Sequence, residues 1–222
     1  MPERKILCLH GAQLSSELFK LQLRPYLNRL ETEHNCSFHF VNGPVPTEPE
    51  ASIAAFWDQP CYRFFHWAPS PIEFQMSQVY EAYKFLYKVI EEHGPFDGVM
   101  GFSQGSVASV ALMLHHAELH PESPPDALFR FAILFSIPNL PDEDSDGSPL
   151  SWGKIRIPSL HICGEADEEW FEMSKLTFER NCEEGTARII VHKGGHLVPK
   201  DQPTVDEILG AIGELIQKAD GA

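Results

Sequence analysis

The run Gly101-Phe102-Ser103-Gln104-Gly105 carries the clearest chemical signature in the chain, because it matches the pattern G-x-S-x-G. It follows the apolar segment 96–102 and precedes a segment rich in small residues, 104–120. A serine at a sharp turn from strand to helix presents its hydroxyl, and the flanking glycines let the two elements approach closely. The pattern therefore predicts that Ser103 is a nucleophile in acyl transfer, in preference to a serine that only caps the helix.

A serine hydroxyl needs a base to take its proton, and His196 is the best candidate among the eleven histidines. It follows Gly194-Gly195 in a loop after a predicted strand, and it lies last in the chain order serine, acid, histidine. His161 and His192 lie in strand-like segments, where a packed histidine is the default expectation. The sequence therefore favours His196 as the base.

The carboxylate that orients this imidazole is predicted to be Asp167, in competition with Glu165, Glu168 and Glu169. Asp167 lies four residues past the end of a predicted strand, where a loop turns over the carboxyl edge of a parallel sheet. Glu168 and Glu169 are typical of the first turn of a helix. We favour Asp167, and the three glutamates stay open as alternatives.

Two backbone N–H groups are expected to bind the oxyanion that forms during acyl transfer. One belongs to Gln104, the residue after the nucleophile. The other is assigned to Ala12 in the loop after the first strand, residues 10–15, which we call the oxyanion loop, with Gln13 as the alternative. His10 begins this loop but precedes the serine in the chain, so a role in shaping the loop is favoured over a role as base. This chemistry needs no metal and no redox cofactor.

The elements that must position these residues are strands alternating with helices. Strands are predicted over 6–9, 37–41, 96–102, 131–135, 159–163 and 188–191, and helices over 18–33, 73–92, 104–120 and 204–217. This alternation indicates an α/β fold with a mostly parallel, doubly wound sheet and helices on both faces. The absence of a repeat or a long linker predicts one domain over residues 1–222.

The segment 43–71 interrupts the alternation with six prolines and six aromatic side chains. A loop of this length in a compact domain is typical of a lid or a binding wall. Trp67 and Phe65 are predicted to contact substrate, with Gln13 at the oxyanion loop and Phe102 beneath the pocket. The alternative is that the aromatic side chains of this segment only cap the core.

Charge and composition exclude several classes of function. The chain of 222 residues has 17 lysines and arginines against 32 aspartates and glutamates, a net charge of −15, which disfavours nucleic acid and anionic membranes as partners. Five cysteines without a CxxC pair disfavour a disulfide framework or a zinc ribbon. The apolar run 6–9 is too short for a membrane span, so we expect a reducing, cytoplasmic setting. The acidic stretch 142–147 is predicted to be a solvated loop, since it lacks the later glutamate of a calcium loop.

Four motifs together resemble the fungal family of serine hydrolases, small α/β-hydrolases that include the ovarian cancer-associated gene 2 hydrolase. The motifs are Leu9-His10-Gly11, Gly94-Pro95-Phe96-Asp97-Gly98, the run 101–105 and Gly194-Gly195-His196. The resemblance runs nearly end to end. It implies the α/β-hydrolase fold with Ser103 as nucleophile, Asp167 as acid and His196 as base.

The segments 18–22 and 40–44 further resemble the branch of this family found in fungal polyketide gene clusters. Members of that branch are thiohydrolases that release an acyl chain from the carrier domain of a synthase. The resemblance thus implies an acyl thioester or ester as substrate, a polyketide synthase carrier domain as partner and a place in secondary metabolism. The loop 11–15 is less glycine-rich than is usual in that branch, and Asn42 stands where aspartate is common.

Two other functions compete with this interpretation. One is a general carboxylesterase for short free esters, and the other is a binding module that keeps the fold without catalysis. Because carrier domains are usually acidic, a carrier partner would need a local basic patch on this acidic chain. Lys20 and Arg24, one helical turn apart, are the candidates for that patch.

Overall fold

A computed structural model describes residues 2–66, 72–138, 140 and 152–221. Its central sheet has six parallel strands in the order β2-β1-β5-β6-β7-β8, and two further strands, β3 and β4, form an antiparallel ribbon. The strands are β1 (Arg4–Leu9), β2 (Cys36–Val41), β3 (Val45–Thr47), β4 (Cys61–Arg63), β5 (Gly98–Phe102), β6 (Phe131–Phe135), β7 (Ser159–Gly164) and β8 (Ala187–His192). The predicted α/β fold with a parallel sheet is confirmed.

Helices cover both faces of this sheet, as predicted. They are α1 (Ser16–Gln22), α2 (Arg24–His34), α3 (Ile72–His93), α4 (Gln104–Leu119), α5 (Phe171–Asn181) and α6 (Gln202–Asp220). Side chains from α1, α2 and α6 pack in one core cluster, and side chains from α3 and α4 pack in the other. Among the described residues, no helix combines the length and the apolar character that crossing a bilayer requires.

Strand β1 shows why the buried strands are continuous apolar runs in the sequence. Ile6 and Cys8 belong to the cluster beneath α1, α2 and α6, whereas Leu7 and Leu9 belong to the cluster beneath α3 and α4. All four residues are 0% exposed. In a strand covered on both faces, all side chains are buried, so apolar and polar residues do not alternate along it. Burial of these side chains stabilises the packing of helices on both faces of the sheet.

The helix predicted over 18–33 is wrong in one respect, because the chain forms two helices that meet at Leu23. Pro25 lies in the first turn of α2. A proline inside a continuous helix lacks the N–H that bonds four residues back and clashes with the preceding turn, so the helix must restart there. The restart lets α1 follow the oxyanion loop while α2 packs against α6.

We call residues 43–66 the insertion; they are the described part of the predicted lid-like segment 43–71. Its two strands, β3 and β4, were not predicted. Each strand has three residues, which is too short for an alternation of apolar and polar residues to be recognised, and β3 contains Pro46. Trp67 and the acidic stretch 142–147 lie outside the described residues.

Candidate active site

Ser103 lies at the carboxyl end of β5 with φ 52° and ψ −120°, a backbone conformation that few non-glycine residues adopt. The two glycines of the motif make this turn possible. A Cβ on Gly101 would lie 2.6 Å from the Cα of Ser106, and one on Gly105 would lie 2.0 Å from the carbonyl oxygen of Leu9. Strand and helix thus approach so closely that a side chain at position 101 or 105 would clash with the backbone, and only glycine fits there.

Three polar side chains from separate loops meet at this turn. The Oγ of Ser103 lies 2.9 Å from Nε2 of His196, and Nδ1 of His196 lies 2.6 Å from Oδ2 of Asp167. A carboxylate only accepts hydrogen bonds, so Nδ1–H donates to Asp167 and Nε2 accepts from the serine hydroxyl. The Asp167 side chain is 5% exposed and that of His196 is 29% exposed. This arrangement can move a proton from the serine to the imidazole.

Asp167 is the candidate carboxylate that lies against the imidazole. Its other oxygen, Oδ1, accepts a hydrogen bond from the N–H of Trp170, which fixes the carboxylate at the start of α5. Glu165 instead pairs with Lys193 at 2.8 Å. Glu168 and Glu169 are exposed to solvent. The geometry therefore favours Asp167 over the three glutamates.

Backbone hydrogen bonds hold the acid loop and the base loop together. The N–H of Glu165 donates to the carbonyl of His192 at 2.8 Å, and the N–H of Ala166 donates to the carbonyl of Gly194 at 3.1 Å. Because β7 and β8 are neighbours in the sheet, their following loops leave its edge side by side. The fold itself thus brings residues 29 positions apart into contact.

The two backbone amides predicted to bind the oxyanion are both available. In the described part of the chain, neither the N–H of Ala12 nor that of Gln104 donates a hydrogen bond. Gln13, the alternative donor, has φ 59°, and its side-chain Nε2 lies 3.5 Å from the carbonyl oxygen of Glu48. The assignment of the donors to Ala12 and Gln104 stays a prediction.

Two of the aromatic residues predicted to contact substrate lie in the described part of the chain, and both are buried. Phe102 is 5% exposed, and its ring centroid lies 5.3 Å from that of His196, so the ring packs against the imidazole. Phe65 is 2% exposed and belongs to the core cluster beneath α3 and α4. The structure therefore places Phe102 at the site and Phe65 in the core, and substrate contact by either ring stays a prediction.

His10 shapes the oxyanion loop in this structure, the role that the sequence favoured. Its ring is 0% exposed, and burial lowers its pKa to about 4, so the imidazole is neutral at physiological pH. Nδ1 lies 2.7 Å from the carbonyl oxygen of Gly11 and donates to it. Nε2 accepts from the N–H of Gly43 at 3.0 Å. The neutral ring therefore ties the loop to the first residue of the insertion.

The side chain of Gln104 is the polar group at the site that sequence reasoning missed. Its Oε1 accepts from the N–H of Phe64 at 2.8 Å, and its Nε2 donates to the carbonyl oxygen of Phe65 at 2.7 Å. The residue is 2% exposed. The sequence did carry one signal for this role, because a glutamine at the start of a helix of small, buried residues must find hydrogen-bond partners for its side-chain amide.

Comparisons with known proteins identify the family to which this chain belongs. Residues 1–208 match the family described as Serine hydrolase (FSH1). The chain is 30% identical to the hydrolase phiM of Talaromyces stipitatus, covering 97% of this chain and 88% of that protein. It is 32% identical to the esterase FPY3 of Fusarium mangiferae, covering 97% of this chain and 98% of that protein.

Solved structures share the fold at lower identity. The structure of esterase PE8 superposes with a TM-score of 0.65 at 17% identity, covering 96% of this chain and 93% of that one. A carboxylesterase from Mesorhizobium loti superposes with a TM-score of 0.63 at 19% identity, covering 96% of this chain and 90% of that one. These likenesses establish the α/β-hydrolase fold.

Proposed function

The chain belongs to the Serine hydrolase (FSH1) family and is an ester-cleaving hydrolase, and we propose that it releases acyl chains from thioesters through an acyl-enzyme on Ser103. The observation that carries this proposal is the continuous relay from Ser103 through His196 to the buried Asp167, with contacts of 2.9 and 2.6 Å. A serine that only caps a helix has no need of this relay.

In the first half of the reaction, the Oγ of Ser103 attacks the acyl carbonyl while Nε2 of His196 takes its proton. The imidazolium that forms is stabilised by the carboxylate of Asp167. The negative charge on the former carbonyl oxygen is held by the N–H groups of Ala12 and Gln104. When the tetrahedral intermediate collapses, His196 returns the proton to the leaving thiol or alcohol.

In the second half, a nucleophile releases the acyl group from Ser103. Water, deprotonated by Nε2 of His196, attacks the acyl-enzyme and gives the free acid. A hydroxyl on the acyl chain itself gives a lactone by the same step. Both routes use the same base and the same oxyanion donors, and each returns the serine to its starting state.

A carrier-bound polyketide chain is the substrate that we propose. The support is the resemblance of segments 18–22 and 40–44 to the polyketide branch, and both segments lie beside the oxyanion loop. Asn42 Oδ1 accepts from the N–H of Ser16 at 2.7 Å, directly after that loop. The rings of Phe19 and Phe40 meet edge to face with centroids 6.0 Å apart. The two segments therefore pack against each other next to the site.

A general carboxylesterase is the second candidate, because several relatives, FPY3 among them, are named esterases. The two functions differ in how strongly kcat/KM depends on the group that leaves the acyl carbonyl. The test compares kcat/KM for one acyl chain presented on a carrier domain, as a small thioester mimic and as an oxyester, with Ser103→Ala as the blank. We expect release from the carrier to exceed release from the mimic by about tenfold or more. Equal or faster turnover of the oxyester would contradict thioester release and favour the carboxylesterase.

A further inference from the structure

The insertion 43–66 is hydrogen-bonded to the loop that carries one proposed oxyanion donor. Residues on both sides of Ala12 take part. The carbonyl of Gln13 accepts from the N–H of Glu50 at 3.2 Å, and the carbonyl of Leu14 accepts from the N–H of Tyr62 at 2.7 Å. The ring of His10 accepts from Gly43 on the other side. The position of the Ala12 N–H therefore depends on where the insertion lies.

The same insertion is held to the second proposed donor residue by one side chain. The amide of Gln104 pairs with the backbone of Phe64 and Phe65 through both of its polar ends, at 2.8 and 2.7 Å. Phe64 follows β4 directly, and Tyr62 within β4 bonds to the oxyanion loop. Only Arg63 lies between Tyr62 and Phe64 in the chain. The path from one donor segment to the other is thus short, and the two bonds of the Gln104 side chain within it are buried.

We propose that the side chain of Gln104 is a positioning residue for the oxyanion hole: it locks the insertion to the nucleophile turn, and the insertion in turn holds the Ala12 loop at a fixed distance from the Gln104 N–H. The inference rests on the proposed function, since it concerns the same oxyanion. Two donors stabilise the transition state only when both point at the oxygen as it becomes charged. A shift of either donor lowers kcat more than it changes substrate binding.

The first test replaces Gln104 with leucine, which has similar size but no polar atoms. Gln104→Leu removes both anchoring bonds while the backbone N–H of residue 104 stays. We expect kcat on an oxyester to fall by about tenfold or more, with KM within about threefold of wild type. The inhibition constant of a trifluoromethyl ketone with the same acyl chain should rise by the same factor as kcat falls, because its hemiketal oxyanion occupies the same hole.

A matched control separates positioning from a general loss of packing. Ser109 also lies in α4, is 0% exposed and donates to the carbonyl of Gly105 at 2.7 Å, and its hydroxyl makes no hydrogen bond to the described residues 43–66. Ser109→Ala removes a buried hydrogen bond from the same helix, and we expect kcat to stay within about twofold of wild type. An equal loss of kcat in Ser109→Ala and Gln104→Leu would overturn the inference.

Gln104→Glu gives a second test with a signature that a purely structural role would not produce. The carboxyl group keeps the shape of the amide and accepts from Phe64, but when ionised it cannot donate to the carbonyl of Phe65. When protonated it donates again, and burial favours the protonated form. The ratio of kcat for Gln104→Glu to kcat for wild type should therefore rise by about fivefold or more as pH falls from about 8.5 to about 6. Division by the wild-type kcat removes the pH dependence that the two proteins share, and His10, whose ring packs against Phe64, stays neutral over this range.

The outcomes separate this inference from the function on which it rests. Wild-type protein that neither cleaves esters nor binds the ketone contradicts the proposed function. If the wild type is active, unchanged kcat in Gln104→Leu, a loss confined to KM, or a flat pH ratio for Gln104→Glu overturns the positioning role alone. If Gln104→Leu does not fold, the pH ratio of Gln104→Glu decides the question.

Discussion

At the residue scale, Asp167 determines which nitrogen of His196 carries the proton. Its carboxylate accepts from Nδ1 at 2.6 Å, which leaves Nε2 free to take the proton of Ser103. In Asp167→Asn the side-chain amide can donate to Nδ1, so Nε2 holds the proton and cannot act as a base. We expect kcat to fall by about a thousandfold to ten-thousandfold, the effect that this substitution has in serine proteases. Steady-state kinetics on an oxyester measure it.

Glu165→Gln is the matched control for the choice of acid. Glu165 lies two residues earlier in the same loop, but it pairs with Lys193 on the surface. Its removal should leave kcat/KM within about twofold of wild type, because exposed ion pairs contribute little. A large loss in Glu165→Gln together with a small loss in Asp167→Asn would contradict the assignment of the acid.

The sequence allowed these roles to be predicted because each polar residue follows a buried strand in a fixed chain order. The motif G-x-S-x-G places Ser103, and the glycines before His196 mark a loop at the same sheet edge. The Gln104 anchor was missed because its partners are backbone groups of the insertion. No residue type in a sequence identifies a backbone partner about 40 positions away.

At the element scale, α1 and the start of α2 carry the candidate basic patch, Lys20 and Arg24. Both side chains are exposed, and within the described part of the chain neither has an ion-pair partner. The double substitution Lys20→Glu/Arg24→Glu should lower kcat/KM about tenfold on a carrier-bound acyl chain, because it repels an acidic carrier. It should leave kcat/KM unchanged on a small thioester mimic, and the effect should weaken as salt is added.

A second double substitution makes the same change of charge elsewhere. Lys84 and Lys88 lie on α3, which covers the opposite face of the sheet, and their side chains are 73% and 71% exposed. Lys84→Glu/Lys88→Glu should leave release from the carrier close to wild type. Equal losses in the two double variants would show a general effect of net charge and contradict docking at the Lys20 and Arg24 patch.

The elements themselves were predictable to different degrees. Strands of the central sheet were recognised because burial on both faces leaves continuous apolar runs, as in β1 and β6. The break between α1 and α2 was missed because the leucine spacing continues across Pro25. Within the insertion, long-range pairing rather than local propensity determines β3 and β4, so no local pattern reveals them.

At the scale of the whole molecule, buried histidines should make stability depend on pH. His10 and His161 are 0% and 1% exposed, and burial lowers the pKa of each to about 4 from 6.5. Between these values the unfolded chain binds more protons than the folded one. The free energy of unfolding should therefore fall as pH drops from about 6.5 to about 4, by about 1.4 kcal/mol per pH unit for each histidine, and neither contributes to a pH dependence above about pH 7.

His161→Leu isolates one of these contributions. His161 lies in β7 with its Nε2 3.3 Å from both Ser159 Oγ and Cys182 Sγ, and its side chain does not belong to the relay. Urea unfolding of wild type and variant at pH 7, 6 and 5 measures the difference. The variant should lose less stability on acidification, by about 1.4 kcal/mol per pH unit. Parallel pH profiles for the two proteins would contradict this source of acid sensitivity.

Intact-protein mass spectrometry during turnover of an acyl thioester tests the central claim most directly. In wild type, we expect a transient mass increase equal to one acyl group, which peptide analysis locates on Ser103. Ser103→Ala should show no increase, and Asp167→Asn should acquire the acyl group much more slowly. Turnover of the thioester with no acyl group on Ser103, or an acyl adduct that persists in Ser103→Ala, would contradict the account.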